Sequence, residues 1–419
     1  MTSTRRPAPA KPRLTDAVVA LRRPHFRRFF FAALTSNSGT WLQGIATPYV
    51  LFTITGEARW VGFGTFAMMV PMAIMGIPGG PLADRIPRQR ILAITQTLMA
   101  GTAMAMALLW WNGVRTPWAY LGVAVVHGII NGFNMPAWQA FVSDLVPRSE
   151  LMNAITLNSA QFNAARAIGP AIGGVVLASA GPGWSFAGNA ISYFVVVGVL
   201  LTLPALMPGD PPERDSFLNQ FRDGMRYARD HVSIRTIYLS AAILAVCGGT
   251  LVSSHLVVFS ERVFEVDEGE FGLLVSAFGI GSIIVTPWIA ARGPLHKRST
   301  LIVSGFLLYG VGELLLTSTT IYLVGFIGVM LAGAAHITSA TTNNSTLQLL
   351  VDEEMRGRVM GMYLMVLTMS MPLGATVETI LADQFGVRPV VTVMGAIMLG
   401  FGAWLKLSGA IESADADAR

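Results

Sequence analysis

Apolar stretches long enough to cross a bilayer recur along this chain, near residues 29–53, 60–83, 90–111, 118–143, 153–179 and 184–206, then near 236–260, 271–291, 299–317, 320–347, 359–381 and 389–408. A run of about 20 apolar residues spans the hydrocarbon layer as a helix. In that layer every backbone polar group has to be satisfied internally, which leaves helices as the only fold open to such segments. The expectation is an all-α membrane protein of 12 transmembrane helices in two pseudo-symmetric six-helix bundles. Composition agrees: 53% of the 419 residues are hydrophobic and 13% charged, about half the charged share of a soluble globular domain. An ordinary soluble enzyme is excluded, and the one cysteine, Cys247, permits no internal disulfide.

The polar segments divide the chain into a cytoplasmic tail (1–28), a first bundle (29–206), a linker (207–235), a second bundle (236–408) and a second tail (409–419). The spans are numbered 1 to 12 in chain order. In the linker, Phe217, Phe221 and Met225 recur every fourth residue. That pattern reads either as a helix lying on the inner membrane surface or as a solvated linker helix with an apolar edge. Orientation follows from counting: with both termini inside, 24 of the 29 Lys+Arg lie in inner segments and four, Arg59, Arg115, Arg262 and Arg388, in outer loops. The net charge of +5 is then a cytoplasmic-side bias rather than a nucleic-acid footprint. The expected partners are the lipid bilayer and a small-molecule substrate, with no nucleic acid, and the chain is expected to act as a monomer.

Shifting the sequence by 209 residues places His127 on His336, Asn134 on Asn343, Gln139 on Gln348, Asp144 on Glu353 and Arg88 on Lys297. Two six-span halves in parallel repeat are the architecture of a transporter with its cavity between them. No phosphate-binding loop, His-Glu-x-x-His or Gly-x-Ser-x-Gly occurs, so neither an ATP site nor an enzyme is expected and no cofactor is called for.

The loop after span 2 reads Gly80-Pro81-Leu82-Ala83-Asp84-Arg85-Ile86-Pro87-Arg88-Gln89-Arg90. It resembles the signature loop of the major facilitator superfamily, with Pro87 in place of the usual second glycine. The second-half counterpart keeps Arg292, Lys297 and Arg298 but has Gly293 where Asp84 would repeat. The resemblance implies that Asp84, with Arg85, Arg88 and Arg90 beside it, latches to the start of span 11, which carries Arg356 and Arg358, when the outside is open. In span 5, Gly169-Pro170 followed by Gly173-Gly174 resembles the antiporter motif of drug exporters in that superfamily. The Gly169 and Gly173 face is expected to meet Gly279 and Gly281 of span 8. Phe26-Arg27-Arg28, Ser36 to Gln43, Pro136 to Gln139 and Arg356 to Val359 are similar to the branch of enterobactin exporters and macrolide efflux proteins, the transmembrane secretion effectors. The resemblance implies export of a small amphipathic molecule, a siderophore, macrolide or drug-like natural product, across a bacterial-type plasma membrane, driven by proton antiport. An importer or facilitator of the same fold and a membrane ligand sensor remain open.

Ionisable groups inside a bilayer are functional candidates, because an unpaired one costs about 2.5–3.5 kcal/mol on insertion scales. Glu378 in span 11, about two turns from the outer end, is the first proton-coupling candidate, with a cationic-substrate contact or a water-facing carboxylate as the other readings. Glu313, one turn from an outer loop, reads as a second or as a snorkelling surface carboxylate. His127 and His336 read as proton carriers or as neutral hydrogen-bonded imidazoles. Arg166 in span 5 reads as an anion contact, as the partner of a carboxylate, or as a donor to carbonyls freed by Pro170. Asn37, Trp41, Gln43, Asn131, Asn134, Trp138, Asn163, His255 and Asn343 complete the cavity candidates. Span 1 carries no acid, so proton coupling is implied by the resemblance alone.

Overall fold

The computed structural model describes residues 14–204, 217–412 and 415. Arg5, Arg6, Lys11 and Arg13 of the tail lie outside the described residues, as do the side chains of Phe217, Phe221 and Asn163. The described residues are almost wholly helical. Nine of the long helices are apolar enough to cross a membrane by length and composition. Three others, Pro24–Thr55, Pro117–Asp144 and Leu151–Ala180, are as long but carry more polar residues. They correspond to spans 1, 4 and 5.

Local sequence sets the helix ends. Proline opens spans 1, 4 and 6 in the first turn, where its missing N–H costs nothing. Gly56 closes span 1 with φ of 70°, a left-handed cap that glycine adopts without strain. Span 8, Glu268–Arg292, opens on a reciprocal capping box between Asp267 and Glu270. Span 7, Val232–Phe264, is the irregular one: π-helical turns at Leu244–Gly249, Leu251–His255 and Ser260–Phe264 interrupt it.

Spans 1–6 pack mainly among themselves and so do spans 7–12. The principal contacts between halves are span 5 with span 8 and span 2 with span 11. These two contacts are equivalent under the repeat, which exchanges n with n+6. Close helix approach replaces the hydrophobic drive that lipid removes. Gly128 of span 4 lies against the Met68 carbonyl of span 2, and Gly333 of span 10 against the Phe278 carbonyl of span 8.

The antiporter-type glycines pack otherwise than the sequence predicts. Gly169 faces Trp41, and Gly173 faces Leu42 and Ile45, so that face lines span 1 rather than span 8. Gly281 lies instead against Met330 of span 10. It is Gly174, one residue on, that meets span 8, at Gly272, so closely that a Cβ on either would overlap the other's Cα. A helical step of about 100° separates neighbouring residues, enough to turn Gly174 to a different neighbour.

The linker helix Phe217–Asp230 docks on the start of span 11. Gly224 faces Met362, Asp223 pairs with Arg358 at 3.3 Å, and Tyr227 donates to Asp352 at 3.0 Å. Met225 is exposed.

Gly333→Val drives a side chain into the Phe278 carbonyl and is expected to destabilise the protein by about 1–3 kcal/mol. Gly198→Ala, where a Cβ meets nothing within 4 Å, leaves the melting temperature of the detergent-purified protein unchanged. Equal melting of the two variants would contradict the packing.

Candidate functional site

A cavity of about 710 Å³ lies between the halves, walled by spans 1–6 and by spans 7, 8, 10 and 11. Such a volume suits a small-molecule ligand. Its wall is largely apolar, with Met68, Met69, Met106 and Met371 supplying adaptable side chains. Thr40, Trp41, His127 and Tyr193 contribute from the first half, Ser253, Phe278 and His336 from the second.

Arg166 brings the one formal positive charge to this wall. Its guanidinium carbon lies 5.3 Å from the centre of the Phe278 ring, a cation–π contact across the two halves. Among the described residues no carboxylate lies within ion-pair distance of it. Tyr309 and His336 are within its electrostatic reach.

The repeat-related histidines both border the cavity, in different settings. His127 Nδ1 lies 2.8 Å from the Thr102 hydroxyl and its ring 6.3 Å from that of Tyr193. His336 packs between Phe278 and Tyr309, at 5.3 and 6.0 Å between ring centres, and its Nδ1 has no partner among the described residues.

Of the other predicted cavity residues, Trp41 and Gln43 border the space, and Gln43 accepts from Asn189 at 2.7 Å. The rest are tied up between helices. Asn37 donates to Gln161 at 3.1 Å, Asn131 to the Met72 sulfur at 3.2 Å, and Asn343 to Ser240 at 2.7 Å. Asn134 accepts from Thr95 at 2.9 Å and Gln96 at 3.2 Å. The Trp138 ring packs tilted against that of Phe29, with ring centres 4.8 Å apart.

His255 does not border the cavity. It is fully buried behind it, with Nε2 3.2 Å from a Glu378 carboxyl oxygen. Glu313 does not snorkel: it is 0% exposed, and neither carboxyl oxygen has a partner among the described residues. Span 9 packs on spans 10 and 12, and Gly395 of span 12 closes over the Glu313 Cβ.

At the end carrying the Gly80–Arg90 loop, Arg88 pairs with Asp144 at 2.6 Å and with Asp84 at 3.8 Å. No bond joining Asp84 to Arg356 or Arg358 is described there. Beside it, Arg23 donates to both carboxyl oxygens of Glu150 and holds that carboxyl below its ordinary range.

At the opposite, acidic end the halves are bonded together. Tyr49 donates to Glu268 at 2.8 Å, and Asp383 accepts from the backbone N–H groups of Ala58 and Arg59 at 2.7 and 2.9 Å, capping span 2 from span 11. Arg262 donates to the Gly56 carbonyl and lies 3.8 Å from Asp383. Gly62 fits against Thr379 and the Ala375 carbonyl. All described hydrogen bonds between the halves lie at this end. Sequence reasoning placed Arg262 only as an outer-loop charge and did not single out Asp383. Their partners lie hundreds of positions away and leave no local pattern.

Comparison with known proteins agrees with the two-bundle fold. Residues 15–419 fit the model of the family described as transmembrane secretion effector. The chain is 26% identical to the staphyloferrin A transporter of Staphylococcus aureus over 88% of its own length and 92% of that protein's. It is also 26% identical to the enterobactin exporter EntS of Shigella boydii, over 81% of each chain. Among solved structures, a bacterial homolog of the human lysosomal transporter Spinster, inward-facing and occupied, superposes with a TM-score of 0.73 at 15% identity, covering 93% of this chain and 97% of that one. A peptide transporter of the POT family gives 0.76 at 12% identity, over 93% and 95%. These structural likenesses show a shared fold. The chain belongs to the transmembrane secretion effector family and is a multi-pass membrane transporter of the major facilitator fold.

Proposed function

We propose that this transporter exports a small amphipathic anion of the siderophore class from the cytoplasm in exchange for protons. The observation that carries the reading is Arg166. A guanidinium on the cavity wall, held over Phe278 with no described carboxylate partner, offers a ligand oxyanion a charge-assisted bond. The methionine and aromatic wall around it fits an apolar body. Siderophores join these two features, hard oxygen donors on an organic frame. The relatives' names, a staphyloferrin A transporter and enterobactin exporters, support the same class, with macrolides and other drug-like products as the other cargo of this branch.

Both termini lie in the cytoplasm on this reading, so the basic end faces inward. The described form, bonded shut at the acidic end, is then the one that loads substrate from the cytoplasm. The Asp84 latch to span 11 belongs to the opposite, outward-open form, and Arg358 rests on Asp223 in the meantime. The chain works as a monomer in a bacterial-type plasma membrane, powered by the proton gradient without ATP.

In everted vesicles, the wild type is expected to accumulate an iron-free siderophore and to lose that accumulation on addition of a protonophore. Uptake into intact cells would show an importer, binding without flux a sensor, and a macrolide moved in preference a different cargo. Arg166→Ala removes a charge-assisted contact of about 1.5–3 kcal/mol, roughly ten- to a hundredfold in affinity for the anion; Arg166→Lys keeps part of it. Undiminished affinity in Arg166→Ala would overturn the anion reading. Asp84→Asn is expected to slow transport while leaving binding intact, and an unchanged rate would remove the latch.

A further inference from the structure

Behind the cavity wall, in the second half, three titratable side chains are shut away from both lipid and substrate. His255 of span 7 and Glu378 of span 11 face each other at 3.2 Å, 0% and 9% exposed. Glu313 of span 9 is wholly buried, neither of its carboxyl oxygens has a partner among the described residues, and it lies within electrostatic reach of Glu378. An ion without a partner in such a setting is costly. The π-helical turn Leu251–His255 is what brings His255 to this position, and π-turns recur where a helix is bent to a task.

The cluster is separate from the cavity but joined to both of the site's moving parts. Toward the substrate, Tyr309, one turn before Glu313, donates to the Gly248 carbonyl at 2.7 Å and packs on His336; both Gly248 and His336 are cavity wall. Toward the acidic end, Glu378 adjoins Thr379, which holds Gly62 of span 2, and lies just over one turn before Asp383, which caps span 2.

We propose that Glu378, Glu313 and His255 form the coupling proton site, off the substrate path, and that its occupancy sets whether span 11 holds span 2 shut at the acidic end. The coupling role rests on the exchange reading given above. In the outward-open form one proton from outside adds to a carboxylate to give the carboxylic acid, which changes its bond to His255, and the same proton leaves to the cytoplasm in the inward-open form, the one closed at the acidic end. The other groups facing the site are Cys247 of span 7 and Tyr309 of span 9, both within electrostatic reach of Glu313. Span 12 presents Gly395, and span 2 presents Gly62 to Thr379, with Arg59, Asp383 and Arg262 at its outer margin.

The test uses the purified full chain in proteoliposomes with an iron-free siderophore. For one-for-one exchange of a proton against the substrate with the membrane potential clamped at zero, accumulation rises about tenfold per pH unit of gradient. Glu378→Gln and Glu313→Gln are expected to keep gradient-independent substrate exchange and to lose this response. His255→Gln, a positioning change, is expected to shift the pH profile of transport while exchange persists. A wild-type gradient response in both Gln variants overturns the proposal. A second measurement needs neither variant nor substrate: dicyclohexylcarbodiimide, which attacks protonated carboxyls in apolar surroundings, is applied to the wild type and the adduct located by mass spectrometry. Labelling at Glu378 or Glu313 that falls as pH rises supports the site; absence of labelling at both, or labelling without pH dependence, overturns it. A wild type that moves no siderophore would sink the export reading while the labelling result still decides the proton site.

Discussion

In hydrocarbon, a polar side chain must find its partner within the protein, and that constraint orders this molecule more than any single contact. Most buried polar groups obey it locally: Gln43 with Asn189, Asn134 with Thr95 and Gln96, Asn343 with Ser240. Each bond ties two spans of one half, so each half behaves as a closed unit. The groups that break the rule stand out for that reason. Arg166 reaches across to Phe278, and Glu313 has no described partner at all. Structure keeps such costs only where something offsets them, and on the reading proposed above the offset is a ligand in one case and a proton in the other.

The repeat makes the architecture symmetric and the chemistry asymmetric. Spans 2 and 11 meet as spans 5 and 8 do, so the contacts between the halves are themselves paired by the repeat. Yet Arg166 belongs to the first half, while Glu313, Glu378 and His255 belong to the second. His127 and His336 occupy matching places, one bonded to Thr102 and the other set between aromatic rings. The frame is kept between the halves while the side chains on it vary.

Much of this was legible in the residues. Apolar run length marked the helices, the 209-residue shift marked the two halves, and the Gly80–Arg90 loop with the Gly-Pro stretch of span 5 pointed to the family. The site was legible as a list of residue types and not as a place. Arg166 and the two histidines do border the cavity, but most of the asparagines that look the same in sequence are consumed by helix packing. Hydropathy could not rank Glu313, because nearness to a loop in sequence says nothing of whether the side chain turns to water or to span 12. His255 and Glu378 lie 123 positions apart, and only the π-turn of span 7 brings them together.

By itself, the sequence determined the helical fold, its repeated halves and the membership in a transporter family, because bilayer thickness and backbone satisfaction depend only on the order of apolar and polar residues. The tertiary structure decided which glycine meets which helix, which end is closed and which ionisable groups share a space. Those outcomes depend on helix rotation and on partners far apart in the chain. A helix turned by one residue points about 100° away, and this is why Gly174 rather than Gly173 joins the halves and why Arg166 faces the cavity while Glu313 is walled off from it.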